Sequence, residues 1–205
     1  MTLIVNVLTG AALDQALDDV AKLRLAVFRA YPYLYDGDLG YEQQYLQTYR
    51  DSDGAVLVGA FDGDRLVGAS TGTPLSEHAD DFGVAFSGVS VDLNDVFYCA
   101  ESVLLPEYRG HGVGHQFFDQ REAHAMRLGF LKSTFCSVVR PDNHPLKPEN
   151  YSPLDRFWQS RGYAPLEGVR AKFRWKDLDE NEETGKELQF WIRDLPSASN
   201  VGECS

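Results

Sequence analysis

Cysteines, basic residues and long apolar runs are all scarce in this chain. Its three cysteines, Cys99, Cys136 and Cys204, are an odd number without metal-ligand spacing. A disulfide framework and a zinc site are therefore not expected, and reduced thiols are. Lys and Arg number 19 against 31 Asp and Glu, a formal net charge of -12. Nucleic-acid phosphates reward clustered cations, so no nucleic-acid partner is expected, whereas amines would be attracted. The start, Met-Thr-Leu-Ile-Val-Asn-Val, has no basic region followed by a long apolar run, and no stretch approaches twenty uninterrupted apolar residues. The expectation is a cytoplasmic protein without a membrane partner. Repeats, low-complexity tracts and interdomain linkers are also missing. An apolar share of 43% with 12% aromatics over 205 residues suffices for one packed core.

The most informative stretch runs from Val96 to Leu128. An apolar, β-favouring segment extends to Leu104, Pro106 forbids further ladder donation, and Arg109-Gly110-His111-Gly112-Val113-Gly114 opens a helix. Three glycines let the backbone approach a ligand closely, while the first N–H groups of the helix point outward unpaired, so the turn suits a phosphate. A Walker A loop does not complete, since no Gly-Lys-Ser/Thr follows, and a Rossmann turn would want an acidic residue about twenty positions on, at the end of a second strand. Along the helix, Val113, Phe117, Phe118, Ala125 and Leu128 share one face, which should lie on a sheet. Arg121 and His124 fall in the same arc. The expectation is that Arg121 pairs with a buried carboxylate or carbonyls and that His124 is a hydrogen-bonded core histidine.

This arrangement, with Arg109, Gly112 and Gly114 directly after a strand that carries Glu101, resembles the Gcn5-related N-acetyltransferase (GNAT) family over roughly residues 56–175. The resemblance implies a single-domain α/β fold over residues 1–194: a mixed, mostly antiparallel sheet with splayed central parallel strands, flanked by helices, and a flexible tail over 195–205. It also implies acetyl-CoA as co-substrate, with the N–H groups of Gly110, His111, Gly112, Val113, Gly114 and His115 on the pyrophosphate. The backbone of Ser102, Val103 and Leu104 would pair with the pantetheine arm. Arg109 would touch phosphate or bond loop carbonyls and hold the turn. No metal is required. A small-molecule or peptide amine is the implied acceptor, and homodimers are common in the resembled family.

Elsewhere the chain reads as follows. Leu3 to Leu8 is a strand, Thr9 can cap a helix from about Ala11 to Phe28, and Leu39 to Tyr49 is a second helix whose Tyr41, Tyr45 and Tyr49 stripe reads as core packing. The loop Tyr31 to Asp38 carries three tyrosines that either border the acceptor site or plug the core. Two strands, Ala55–Phe61 and Leu66–Thr71, flank an Asp-Gly hairpin signal. Residues 74–95 hold a short helix and an irregular connection. Lys132 to Val139 should run parallel to the strand before the central helix. A proline-rich loop over 140–153, a short helix at Asp155–Ser160 and strands at Val169–Trp175 and Leu188–Arg193 complete the chain.

Attack on a thioester needs a neutral amine, whereas lysine-like amines have a pKa near ~10. Glu101, at about the place where many members of the resembled family carry their base, is the candidate, against the alternative of an ordinary buried, paired carboxylate. The tyrosine that commonly serves as acid in that family is replaced by Trp158, which cannot donate a proton in this way. The usual upstream asparagine is replaced by Tyr151. Tyr151, His144 and Cys136 are substitute acids, and Asn143 is a candidate pantetheine contact. The reaction expected is acetyl transfer to a primary amine by direct attack, with or without a dedicated acid. Alternatives are another acyl chain or a hydroxyl acceptor, and a CoA-binding sensor module without turnover.

Overall fold

The computed structural model describes residues 3–196. An edge strand β1 (Leu3–Leu8) leads into α1 (Ala11–Phe28) and, after the tyrosine-rich loop, α2 (Leu39–Asp51). The hairpin β2 (Val56–Asp62) and β3 (Arg65–Pro74) turns at Gly63, whose φ of 60° suits glycine. A 3₁₀ turn at Leu75–His78 and the short helix α3 (Ala79–Phe86) follow. Next come β4 (Val96–Tyr98), β5 (Ser102–Leu104), α4 (Val113–Arg127), β6 (Lys132–Val138), α5 (Asp155–Ser160), β7 (Ala164–Trp175) and β8 (Thr184–Asp194). The sheet order is β1-β2-β3-β4-β6-β8-β7, with β5 paired to β3. Among the described residues only β4 and β6 run parallel, joined by the α4 crossover; every other pairing there is antiparallel.

The segment expected as one strand to Leu104 is two strands. Thr73 pairs with Tyr98 and Ser70 with Ser102, so three steps along β3 face four along the β4–β5 segment. The extra residue is a β-bulge, in which the Ala100 N–H donates to the Thr71 carbonyl at 3.1 Å and the Thr71 N–H donates to the Glu101 carbonyl at 3.1 Å. The bulge shifts side-chain alternation by one, which places Glu101 and Val103 on the same sheet face as Tyr98. Parallel pairing with β6 covers three residues, Val96↔Lys132 to Tyr98↔Thr134. Beyond it β6 continues beside β8 while β5 follows β3, so the two central strands part.

Three apolar clusters cover the sheet. Phe117, Phe118 and Val113 of α4 pack with Phe97, Val58 and Phe135 on one face. On the other, α1 and α2 cover Leu57, Ala69 and Val103, and α3 covers Tyr98, Cys136 and Phe190.

Several expectations are corrected. Gly10, not Thr9, caps α1, without a side-chain bond. Leu128 lies past the end of α4 and is exposed. That helix begins at Val113, with Gly112 as its N-cap, rather than at Arg109. Strand β7 begins at Ala164 and is interrupted between Pro165 and Arg170, where Gly168 takes a φ of 76°; β8 begins at Thr184, inside the charged connection. Leu195, expected to open a loose tail, is buried, and its N–H donates to the Leu131 carbonyl at 2.8 Å. The tail from residue 197, including Cys204, lies outside the described residues.

Candidate functional site

The glycine turn lies between β5 and α4. Pro106–Tyr108 forms a 3₁₀ turn, and the buried Tyr108 donates its hydroxyl to Asp62 Oδ2 at 3.0 Å, tying the loop to β2. Gly110 (φ 81°) and Gly112 (φ 78°) then adopt left-handed backbone that a side chain would strain. The first intrahelical bond of α4 runs from the Gln116 N–H to the Gly112 carbonyl, so the N–H groups of Val113, Gly114 and His115 lie before the ladder begins. No acidic residue stands in this first turn. An anion would thus meet unpaired donors and the positive helix end with no competing carboxylate. Helix α5 braces the turn: Phe157 packs edge-on against His115 at 4.8 Å, and Arg161 bonds Asp119 at 2.7 Å and Glu122 at 3.0 Å.

Arg109 is exposed and donates from Nε to the Leu104 carbonyl at 3.4 Å, the loop-holding contact. In the β3–β5 ladder, Glu101 bonds Thr71 and Leu105 bonds Val67. Antiparallel alternation therefore turns the Val103 backbone toward β3 and the Ser102 and Leu104 backbones away from it, into the gap left by β6. An extended, amide-bearing chain such as pantetheine could pair there as a strand would. These residues fit a CoA group on both counts, the anion seat and the free strand edge.

Below the gap, the bulge presents Glu101 to α1 and α2. Its Oε1 lies 2.5 Å from Arg24 Nη1 of α1 in an ion pair, though without hydrogen-bond alignment. Its Oε2 is 3.3 Å from both the Tyr45 and the Tyr49 hydroxyl of α2, and these two are 2.9 Å apart. Two hydroxyl protons thus serve three contacts. Arg24 also bonds Glu42 through Nε, and its guanidinium carbon lies 4.5 Å from the centre of the Tyr45 ring. Burial pushes the Tyr45 and Tyr49 hydroxyls above their ordinary pKa, and the Glu101 charge adds to the effect, so both stay neutral. The core-packing reading of the tyrosine stripe holds for Tyr45 and Tyr49, which pack in the cluster under α1 and α2 and also reach Glu101, and fails for the exposed Tyr41.

Arg121 is 1% exposed and donates to the carbonyls of Phe117, Thr71 and Glu101 and to Ser102 Oγ, as the carbonyl reading expected. It clamps the bulge from the α4 side. His124 Nε2 meets the Gly54 carbonyl at 3.0 Å. Tyr98 points its hydroxyl at Cys136 Sγ, 3.3 Å away across the diverging strands, and burial pushes the Cys136 thiol up to about 12.

Two of the substitute acids, Tyr151 and His144, meet the same Tyr31 ring. Tyr151 packs edge-on against Tyr31 at 4.7 Å, and His144 does so at 5.8 Å. Burial raises the Tyr151 pKa, keeping its hydroxyl protonated. Asn143 is exposed. The aromatic loop serves both expected ends: Tyr33 packs on Phe28 and Trp175, with Leu34 buried beside them, while Tyr31 faces the loop over 140–153. Arg140 bonds the Pro32 and Tyr33 carbonyls, each at 2.7 Å, and pairs with Asp177 at 2.6 Å, fixing both loops. An open groove of about 560 Å³ lies over this network, lined by Arg140, His144, Asp177 and Lys186 among others, and does not contain Glu101. Among the described residues no group of three His, Cys, Asp or Glu side chains could hold a metal ion. None of their helices is long and apolar enough to cross a membrane.

The model of the acetyltransferase (GNAT) family matches residues 18–148. The chain belongs to that family. The match takes in Arg24 of α1, β5, the glycine turn and α4, and ends ahead of Tyr151 and α5. As a GNAT protein the chain is an acyl-CoA-dependent acetyltransferase. No curated protein matches its sequence. Among solved structures, an N-acetyltransferase from Staphylococcus aureus Mu50 superimposes with a TM-score of 0.63 at 9% identity, covering 96% of this chain and 100% of that one. The acetyltransferase yncA from Salmonella typhimurium, solved with its cofactor acetyl-CoA, gives 0.61 at 10% identity over 100% of both chains. A ribosomal-protein-alanine N-acetyltransferase from Brucella melitensis gives 0.61 at 12% identity, over 94% and 99%. At such identities these structures share the GNAT fold with this chain and establish no more.

Which residues sequence reasoning missed is plain from the contacts. Arg24 and Glu42 carried no motif, and the bulge that turns Glu101 toward them is a matter of register. The one available signal was the four-residue spacing of Tyr45 and Tyr49.

Proposed function

We propose that this GNAT protein transfers the acetyl group of acetyl-CoA to a primary amine, of a small molecule or a peptide, by direct attack with Glu101 as the base. The observation that carries the reading is the position of Glu101, on a β-bulge at the point where the central strands part and beside the unpaired edge of β5. Acetyl-CoA supplies the activated thioester. The N–H groups from Gly110 to His115 seat its pyrophosphate, and the backbones of Ser102 and Leu104 hold the pantetheine arm, with Val103 anchoring the strand to β3. The arm then leads to the bulge. Glu101 takes the proton of the arriving ammonium, held in place by Arg24, Tyr45 and Tyr49. A thiolate of pKa near ~8.5 leaves readily, so its proton comes from solvent or from Tyr151. The ribosomal-protein acetyltransferase among the similar structures makes a peptide amino terminus one acceptor class to include in a screen.

The test is calorimetric titration of wild type and Glu101→Gln with acetyl-CoA, then thiol release against an amine panel, with longer acyl-CoA donors and hydroxyl acceptors alongside. Glu101→Gln should bind acetyl-CoA as wild type does and turn over about 100-fold more slowly, the usual size of a general-base effect. Tyr151→Phe separates the two sources of the thiol proton: a fall in kcat assigns it to Tyr151. Saturable binding without release for any amine would favour the sensor module, and no binding would sink the assignment of the glycine turn.

A further inference from the structure

The gap between the parted strands has two free edges, and the pantetheine arm accounts for the one on β5. Along β6 the Thr134 carbonyl accepts from the Cys99 N–H, on the β4 side, while the Val139 N–H donates to the Glu187 carbonyl, on the β8 side. Alternation therefore turns the Ser137 backbone to β8 and the Cys136 and Val138 backbones into the gap, where no strand among the described residues pairs with them. This edge starts level with the bulge: Tyr98↔Thr134 is the last parallel pair, and Ala100 and Cys136 each lie two residues beyond it. It ends one residue short of the open groove, whose lining includes Val139, Arg140 and Pro141. At about 560 Å³ the groove falls within the ~300–1,000 Å³ of ligand-binding clefts. Its arginine and its lysine are committed, Arg140 to Asp177 and Lys186 to Asp177 and Glu180, which leaves little positive charge for an anion. What edge and groove offer together is main-chain donors and acceptors followed by a polar cleft, the complement of another main chain.

We infer that the acceptor is the amino-terminal segment of an extended peptide, added as a strand to the free edge of β6, with its fourth and later residues in the groove. The inference rests on the reading of the Glu101 bulge as the place of transfer. A peptide that starts at the bulge and leaves toward Val138 runs parallel to β6. Parallel pairing then lets the Cys136 carbonyl accept from the N–H of the second peptide residue, and the Val138 N–H donate to the carbonyl of that residue. The Val138 carbonyl accepts from the N–H of the fourth. The N–H of the third residue faces away from β6. A small amine would reach the bulge and leave both the edge and the groove unused.

The experiment uses the whole protein loaded with CoA, so that the arm is in place. It is titrated with alanine amide, with the hexapeptide Ala-Ser-Ala-Ser-Ala-Ser amide, and with that peptide N-methylated at its second, third or fourth residue. The hexapeptide should bind about tenfold tighter than alanine amide or more, the worth of two or three net backbone hydrogen bonds. Methylation at the second or the fourth residue should weaken it about fivefold, and at the third less than about twofold, which controls for the conformational effect of the methyl group. Val138→Pro removes the N–H that faces the gap and no bond of the β8 ladder, and should weaken the hexapeptide about fivefold as well. If that variant does not fold, the methylated series still decides. Equal affinity for alanine amide and hexapeptide, binding of neither, or equal losses at all three methylated positions overturns the inference. Turnover of Glu101→Gln separates the two readings, because the titrations read binding alone. Full activity there overturns the base and leaves the peptide track standing, while a slow Glu101→Gln beside indifference to methylation overturns the track alone.

Discussion

Arg121 shows how much one side chain can hold in place. It lies under α4 and sends its guanidinium to the carbonyls of Thr71 and Glu101, the two residues that close the bulge, and to Ser102 Oγ on the strand that follows. Each of those carbonyls keeps one ladder bond, but the second lone pair would be dry and unmatched without Arg121. Arg121→Leu should therefore lower stability by roughly 2–4 kcal/mol, well beyond a surface change. Urea denaturation of the variant against wild type measures this, and a loss below about 1 kcal/mol would mean that the bulge stands without its clamp. The sequence did announce Arg121 as a charged residue in an apolar helix arc. It did not announce the partners, because the Thr71 and Glu101 carbonyls come within reach only through the pairing of β3 with the bulge.

At the scale of the element, two features differ sharply in how far the sequence disclosed them. The glycine turn and α4 are local: a strand, a proline, glycines at the left-handed positions and a 3.6-residue apolar period all fall within about thirty residues, and each was readable. The β-bulge is not local. It exists because four residues on one strand oppose three on another, a count that only the paired strands supply. Read alone, Val96 to Leu104 is one alternating strand, and the face that Glu101 takes stays open. For the same reason α2 yielded its helix but not the purpose of Tyr45 and Tyr49, which depends on where the bulge aims Glu101. The turn offers its own test. Gly112 caps α4 at φ 78° with open space around its missing Cβ, so alanine there meets no clash, only the left-handed backbone cost of about 1–2 kcal/mol. The backbone can relieve it by moving the N–H groups out of register with the pyrophosphate. Gly112→Ala should thus weaken acetyl-CoA binding about tenfold, the equivalent of 1.4 kcal/mol. Unchanged calorimetric affinity would place the pyrophosphate elsewhere.

On the scale of the whole molecule, the sheet is two halves held by a narrow seam. Strands β1, β2, β3 and β5 form one half and β4, β6, β8 and β7 the other, and β3 meets β4 at only two residue pairs, Thr73↔Tyr98 and Pro74↔Phe97. Helix α4 spans the seam on one face, and its His124 anchors the span by bonding the Gly54 carbonyl, just ahead of β2, while its ring packs edge-on against Phe97 of β4. Because a carbonyl only accepts, Nε2 carries the proton, and Nδ1 is left to accept from Arg127 Nη2 at 3.4 Å. Protonating Nδ1 would remove that acceptor and set a cation beside a cation. The His124 pKa is accordingly lowered, first by burial and then by Arg127, with the Gly54 bond working the other way. The unfolded chain therefore binds this proton at higher pH than the folded one does. Stability is fully present above the unfolded value near ~6.5 and declines as pH falls from there toward the lower folded value. His124→Gln can keep both hydrogen bonds, since its amide donates to Gly54 and its oxygen accepts from Arg127, but it cannot titrate. The urea midpoint of wild type should thus exceed that of His124→Gln most clearly above pH 7, with the margin shrinking as the pH is lowered toward 5. A margin that stays constant across that window would show that the seam is held by neutral packing alone and that His124 takes no part in its response to acid.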